Sequence, residues 1–219
     1  MIIAKAVDAI ISQSPFLEEA LSENLINLSS LARKIRPEVE RMTRKQVKES
    51  AIVMAISRRP EEQAFRISKG IRSFVGGLGD IIVRSGLSDH TFENSAGMAE
   101  CQRRMIEELA DEREIFYTFS QGVYETTLVA GSSLDARIRE IFREETLLSF
   151  KDGLSSVTLL LPKNNTEISG IYYYILKKLA WAGINVCEVV STSNEVTIVV
   201  SEADVKRAFP ILMEIKKNP

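Results

Sequence analysis

The sequence predicts an α+β protein with a basic helical N-terminal part, followed by two units in which strands and helices alternate in the same order. Between Arg33 and Arg72 there are 12 basic and 5 acidic residues, although the whole chain has a net charge of -2. Hydrophobic spacing is helical up to residue 78 and alternates between strand and helix afterwards. The 219 residues, 45% of them hydrophobic, are enough for more than one buried core.

Short helices are predicted over the first sixty residues from their capping signals. Ser14 and Pro15 are typical of the N-cap and first position of a helix, and Asn27 or Ser29 is suited to cap the next one. A further helical stripe ends at the breaker series GGLG, which places the first domain boundary after residue 78. That stripe consists of Ala64, Ile67, Ile71, Phe74 and Leu78.

The segment from Leu28 to Arg59 has the outline of a helix-turn-helix. Thr43 and Gln46 form a capping box for a second helix, and the linker before it contains Pro37. Cations on the first turn of that second helix predict contacts with nucleic acid, with a solvated basic face as the alternative. These candidate DNA-binding residues are Arg44, Lys45 and Lys48.

After residue 79 the order strand, helix, strand, strand, helix is predicted twice, over residues 79–153 and 154–219. The first unit comprises DIIVRSGLSDHTFENS, AGMAECQRRMIEELA, EIFYTFS, VYETTLVA and a helix from Ser132. The second comprises SVTLLLP, ISGIYYYILKKLAWAG, INVCEVVST, EVTIVVS and a helix that opens at Ser201 with Asp204 three residues on. The repeat is one of element order rather than of sequence identity.

The second unit resembles the ACT domain, in particular the tandem ACT pair at the C-terminus of aspartokinases. The similarity rests on the AGINV elbow at Ala182–Val186, the STSNEVTIVV hairpin and the SEADVKRA helix start. It covers about residues 154–215 and is only topological over 79–150, and no kinase motif accompanies it. The resemblance implies two ferredoxin-like βαββαβ ACT domains, the first of them divergent, in a regulatory protein that is not an enzyme.

The resemblance also implies a site for a small effector, commonly an amino acid, where ACT units meet. A carboxylate there is expected at the N-terminus of the first helix of the second unit, whose backbone N–H groups are free. Asn185 offers a donor and an acceptor for an amino group. The candidate effector residues are Asn165, Thr166, Glu167, Ile168, Ser169, Gly170, Ile171, Asn185 and Val186.

A second interpretation stays open, in which the chain is a structural dimerisation or scaffold protein without a ligand. Tyr172, Tyr173 and Tyr174 stand where the family often has small residues, and they are suited to packing and interfaces. Under either interpretation a homo-oligomer, most simply a dimer through the ACT units, is expected because sheet edges are usually paired.

The remaining composition predicts no cofactor, metal or membrane segment. The chain has 2 cysteines, Cys101 and Cys187, and a single histidine, His90, so it lacks the residues of a multi-histidine or CxxC metal site. His90, in SDHTFE, is predicted to lie at the surface. Without a signal peptide or an apolar run of spanning length, we expect a cytoplasmic protein.

Overall fold

A computed structural model describes residues 1–59, 70–71, 74–110, 112 and 115–217. Contacts divide the chain into two compact units, Met1–Gly70 and Ile71–Pro219. The predicted stripe falls partly outside the described residues, which exclude Ala64 and Ile67. Its last two members, Phe74 and Leu78, are buried in the core of the second unit.

The first unit contains α-helices over much of its described length. They are α1 (Ile3–Ser12), α2 (Pro15–Ser22), α3 (Leu28–Thr43) and α4 (Glu49–Ser57). Two predicted starts are confirmed, because α2 begins at Pro15 after Ser14, and Asn27 Oδ1 accepts a hydrogen bond of 3.0 Å from Ser30 N at the start of α3. Buried side chains from α1, α3 and α4 form the core of this unit.

The predicted helix-turn-helix boundaries are wrong, because α3 continues through Pro37 to Thr43. A proline removes one helical hydrogen bond, but Ile35 and Val39 on either side of it are buried in the core and hold the helix together. Thr43 does not cap a second helix. Its hydroxyl donates to Val39 O at 2.8 Å, within the last turn of α3.

The three predicted DNA-binding cations are exposed in the connection between α3 and α4, not on the first turn of a helix. Arg44 ends α3 in the left-handed conformation, with φ of 55°, Lys45 follows it, and Lys48 is the N-cap of α4. Within this connection Val47 is buried, and its N–H donates to Glu40 Oε1 at 2.9 Å. The connection is therefore fixed to α3, and α4 does not present these cations as a recognition helix would.

The second unit is a six-stranded antiparallel sheet with helices, in the element order that the sequence predicts. The sheet order is β2-β3-β1-β4-β6-β5. The strands are β1 (Ile81–Glu93), β2 (Tyr117–Gln121), β3 (Glu125–Gly131), β4 (Leu147–Leu160), β5 (Glu188–Ser191) and β6 (Glu195–Ser201). The helices are α5 (Met98–Glu108), α6 (Asp135–Ile141), α7 (Ile171–Trp181) and α8 (Glu202–Lys217).

The two ferredoxin-like repeats are not separate, because they share the long strands β1 and β4. Only the second part of β1, from Leu87, pairs with β3, and only the second part of β4, from Leu154, pairs with β6. The first part of each strand pairs with the second part of the other. The four strands of the first repeat are therefore β2, β3, the second part of β1 and the first part of β4. Those of the second repeat are β5, β6, the second part of β4 and the first part of β1. The predicted limit between residues 153 and 154 falls inside β4.

Each long strand contains a left-handed glycine where the register between β1 and β4 shifts, and the two positions are related by an internal repeat. Gly86 and Gly153 have φ of +68° and +62°, in the left-handed region that glycine adopts without strain. Each is followed by Leu-Ser, and the two leucines, Leu87 and Leu154, are paired in the sheet.

Equivalent threonine pairs confirm the correspondence between the repeats. Thr91 and Thr127 lie 3.0 Å apart between their Oγ1 atoms, and Thr158 and Thr197 lie 2.8 Å apart. The repeat is thus one of residues as well as of element order, which differs from the sequence-based expectation.

Each repeat has its own core between the sheet and its helices, and a smaller cluster lies on the opposite face of the sheet. Phe142 packs beside Phe92 in the first repeat, at 4.7 Å between ring centroids. In the second repeat, Leu179 of α7 and Leu212 of α8 are completely buried. The cluster on the opposite face is formed by Leu87, Val129, Leu154 and Val199.

Candidate functional site

The loop between β4 and α7 is tied to the β5–β6 hairpin by Asn165. This residue is 5% exposed and lies in a single 3-10 turn, Asn165–Glu167. Its Nδ2 donates to Pro162 O at 2.9 Å and to Ser193 O at 2.6 Å. Asn165 therefore positions the loop, and both backbone carbonyls accept from its amide nitrogen.

The chain enters α7 through Gly170, which has φ of +89° and ψ of 0°. In this left-handed conformation an L side chain is strained, so glycine is required for the chain to turn into the helix here. Gly170 O accepts the hydrogen bond of Tyr174 N at 2.9 Å. The N–H groups of Ile171 and Tyr172, in the first turn, have no intrahelical partner, and this end of the helix has a partial positive charge.

The edge strand β5 reaches the start of α7. Tyr172 Oη and Ser191 Oγ are 2.6 Å apart, and this contact joins the first turn of α7 to the last residue of β5. The side chain of Tyr172 is 41% exposed. The loop, the helix start and the hairpin are thus joined by hydrogen bonds. Ser191, Ser193 and Tyr172 take part in these contacts and are not among the predicted effector residues.

The predicted effector residues lie in two places, one group at the start of α7 and the other, Asn185 and Val186, beyond its end. The loop residues Thr166, Glu167 and Ser169 are exposed beside Gly170, whereas Ile168 packs against the core. Ile171 is 3% exposed and belongs to the core.

Asn185 and Val186 lie beyond the opposite end of α7, whose 11 residues extend about 16 Å. Asn185 is exposed, and Val186 packs against the core of the second repeat. Within one chain, the structure does not bring Asn185 to the carboxylate position predicted at Gly170.

The corresponding helix start in the first repeat is occupied by a carboxylate of the chain itself. Ser95 Oγ donates to Glu145 Oε2 at 2.5 Å and accepts from Gly97 N at 3.0 Å, where Gly97 is the N-cap of α5. A Cβ atom on Gly97 would lie 2.5 Å from Glu145 Oε1, so this carboxylate sits against the helix start. Glu145 lies two residues before β4, and the equivalent position, two residues before β1, is Gly79. Because glycine has no side chain, the second repeat has no carboxylate at this position.

His90 is buried, and the prediction of a surface histidine is wrong. It is 1% exposed, and its Nε2 lies 3.0 Å from Asp135 Oδ1. Ser88 Oγ donates to the same carboxylate oxygen, and the ring of Phe150 packs against His90 at 4.9 Å between centroids. Because serine and histidine share one oxygen of Asp135, this cluster lacks the relay geometry of a nucleophilic triad.

Both cysteines are free, and the pKa of each thiol is raised above its ordinary value. Burial is the main cause that raises the pKa of Cys101, and Glu145 adds to it. Burial likewise raises the pKa of Cys187, which packs against the cluster on the opposite face of the sheet. Neither thiol has the lowered pKa of a reactive cysteine.

Within the described parts of the chain, no group of three or more metal-ligating side chains occurs. No helix among the same residues is both long and apolar enough to span a membrane.

The chain is similar in fold to regulatory regions of aspartate kinases. The regulatory subunit of aspartate kinase from Thermus thermophilus, in its ligand-free form, has 10% identity and a TM-score of 0.52, over 64% of this chain and 98% of that chain. The Thermus flavus regulatory subunit has 10% identity and a TM-score of 0.51, over 64% and 98%. Aspartate kinase from Clostridium acetobutylicum has 17% identity and a TM-score of 0.51, over 64% of this chain and 35% of that chain.

These similarities confirm the tandem ACT resemblance at the level of the fold. They extend over nearly the whole Thermus regulatory subunits but only about a third of the Clostridium kinase. No family model and no curated protein matches the sequence.

Proposed function

We propose that this chain is a non-catalytic regulatory protein that senses a small effector, most simply an amino acid, and passes the signal to a partner. The start of α7 carries this proposal. There a glycine in the left-handed conformation, a loop fixed by Asn165 and the edge strand β5 meet at the backbone N–H groups of Ile171 and Tyr172. Such a helix start favours a carboxylate, which every free amino acid has.

The second repeat is the better candidate for the effector. Glu145 already places a carboxylate at the start of α5 in the first repeat, whereas Gly79 leaves the equivalent position without one. The Thermus neighbours are themselves regulatory subunits, and the Clostridium enzyme is described as allosteric, which supports a regulatory role without naming the effector here.

Asn185 enters this proposal only through a second copy of the chain. It lies at the far end of α7 from Gly170 within one chain, so a site containing both residues requires association between subunits. Such association is expected because β2 and β5 are the outer strands of the sheet. The proposed effector site is therefore at a subunit joint.

A thermal-shift panel of the twenty amino acids tests the proposal. A ligand at 100 times its dissociation constant adds about 2.7 kcal/mol to the free energy of unfolding. For a unit of this size that corresponds to a rise in Tm of roughly 5 to 11 °C. Gly170→Val should abolish the shift, whereas Ser95→Ala, at the equivalent loop of the first repeat, should leave it in place.

A panel without any shift would favour the scaffold function. One observation favours association between subunits with or without a ligand: α7 has aromatic side chains exposed at its surface. Tyr172, Tyr173 and Trp181 are 41%, 40% and 77% exposed. In that case the α7 surface would join subunits without responding to a ligand.

The partner that receives the signal is proposed to be a protein rather than DNA. The cations Arg44, Lys45 and Lys48 are exposed but lie in a connection, so a DNA contact would rest on charge alone. If they contact phosphates, duplex binding at about 50 mM salt should weaken steeply as salt rises. Absence of duplex binding under those conditions would leave only the protein partner.

A further inference from the structure

Helices α1 and α4 of the first unit border a groove of about 480 Å³. Its apolar lining is formed by Ile3, Ala4, Ala51, Met54 and Ala55. The side chain of Met54 is 51% exposed. Met1 and Ile2, immediately before α1, are 66% and 65% exposed and extend the apolar surface next to Ile3. Contiguous exposed apolar surface of this kind marks an interaction site.

The charges around the groove are predominantly basic. Lys5 and Arg58 line it, both are exposed, and neither takes part in an ion pair with the described residues. The one acidic residue of the lining, Asp8, is paired with Arg59 at 2.9 Å between Oδ1 and Nε. Arg59 is fixed further by Glu18 at 2.6 Å. A ligand in the groove therefore meets two unpaired cations, which favours a partner with acidic groups.

The dimensions of the groove suit a helix. α1 and α4 have 10 and 9 residues, which correspond to about 15 and 14 Å of length. Small side chains at Ala4, Ala51 and Ala55 allow a third helix to approach both helices closely. Over that length a docked helix presents about three turns, which is enough for apolar anchors at the i, i+4 and i+7 positions.

We propose that the α1–α4 groove binds an amphipathic helix of a partner protein, with its apolar face on Met54 and its acidic side chains towards Lys5 and Arg58. This helix is the point at which the regulatory protein attaches to the protein it controls. The proposal does not depend on the effector site at Gly170, because the groove lies entirely within the first unit.

Fluorescence anisotropy with the full chain tests the proposal without an effector. The probe is a labelled, alanine-rich helical peptide of about 14 residues with leucines on one face and glutamates beside them. A peptide with lysines in place of the glutamates is the charge control. The acidic peptide is expected to bind at least about tenfold more tightly at about 50 mM salt, and this preference should shrink as salt rises.

Matched variants locate the binding. Met54→Glu and Arg58→Glu should each weaken the acidic peptide about tenfold or more, because one removes an apolar contact and the other reverses a charge. Ile106→Glu, at a residue of α5 that is 50% exposed, and Lys34→Glu on α3 should leave binding unchanged.

Three results would overturn the proposal. The acidic peptide does not bind, the two peptides bind equally, or the control variants weaken binding as much as the groove variants do. Light scattering adds a fourth, because a protein that dissociates into monomers on Met54→Glu has a second copy of itself in the groove instead of a partner helix.

Discussion

The internal repeat supplies a matched pair of serines whose substitution should change stability in opposite directions. Ser88 and Ser155 follow the equivalent Gly-Leu of β1 and β4, and both are completely buried. Ser88 Oγ donates to the carboxylate of Asp135. Ser155 Oγ has no hydrogen-bond partner among the described residues. The same side chain thus has a partner in one repeat and lacks one in the other.

The magnitudes follow from the two environments. A hydrogen bond to a charged group contributes about 1.5 to 3 kcal/mol, so Ser88→Ala should lower the free energy of unfolding by about that amount. A buried hydroxyl without a partner costs about 1 to 3 kcal/mol, so Ser155→Ala should raise it, by about 1 kcal/mol after loss of the oxygen's packing contacts. The two variants remove the same atom, so the unfolded-state contributions cancel in the comparison.

Urea denaturation, followed by circular dichroism, measures both variants under one set of conditions. For the second unit, Ile71–Pro219, the expected changes in the free energy of unfolding extrapolated to water are a rise of about 1 kcal/mol for Ser155→Ala and a fall of about 1.5 to 3 kcal/mol for Ser88→Ala. Equal destabilisation by the two substitutions would refute the reasoning, since it would mean that Ser155 has a partner of its own.

Three further predictions follow. Gly170→Ala should cost about 1 to 2 kcal/mol of stability because of its φ of +89°, whereas Gly76→Ala, at a helical glycine with open space around it, should be neutral or stabilising in the same urea assay. Glu40→Gln should destabilise the first unit at neutral pH. The hydrogen bond from Val47 N, and after it the hydrogen bond from Arg36, lower the pKa of Glu40. The stabilisation that ionised Glu40 gives the folded state is therefore present above the ordinary glutamate pKa of about 4.3 and is lost as pH falls. The stabilities of the variant and the unmodified protein should therefore converge in acid denaturation. Light scattering at micromolar concentration should give the mass of two chains or a higher even number, and a clean monomer would contradict the proposed subunit joint.

The sequence correctly predicted those elements whose conformation depends on residues close together in the chain. Ser201 and Asp204 predicted the start of α8, and Asp204 N donates to Ser201 Oγ at 3.2 Å as that signal implies. The alternating residues of β6 predicted a strand with one face on a core, and Ile198 and Val200 lie on that face. Such features depend on neighbours in sequence, so composition and spacing are enough to find them.

The sequence-based predictions were wrong where the local structure depends on contacts with residues far away in the chain. Pro37 is a helix breaker by local rules, yet the buried residues beside it keep α3 continuous. The closest hydrogen-bond partner of the buried His90 is Asp135, which stands 45 residues later in the chain. The sharing of β1 and β4 between the repeats is a matter of strand register, which no single segment encodes. The hydrogen bond from Asn165 Nδ2 to the carbonyl of Ser193 likewise joins two segments that lie 28 residues apart in the chain.

Under the function proposed above, the differences between the repeats give one copy of the fold a sensing role and the other a structural role. In the first repeat, Glu145 places a carboxylate against the start of α5, and Asp135 binds both Ser88 and His90. Each of these contacts satisfies polar groups within the chain, so the repeat needs no ligand to complete it. In the second repeat, Gly79 stands in the place of that carboxylate, and the N–H groups of Ile171 and Tyr172 at the start of α7 have no intrahelical partner. An effector carboxylate would therefore supply in the second repeat, reversibly, what Glu145 supplies permanently in the first.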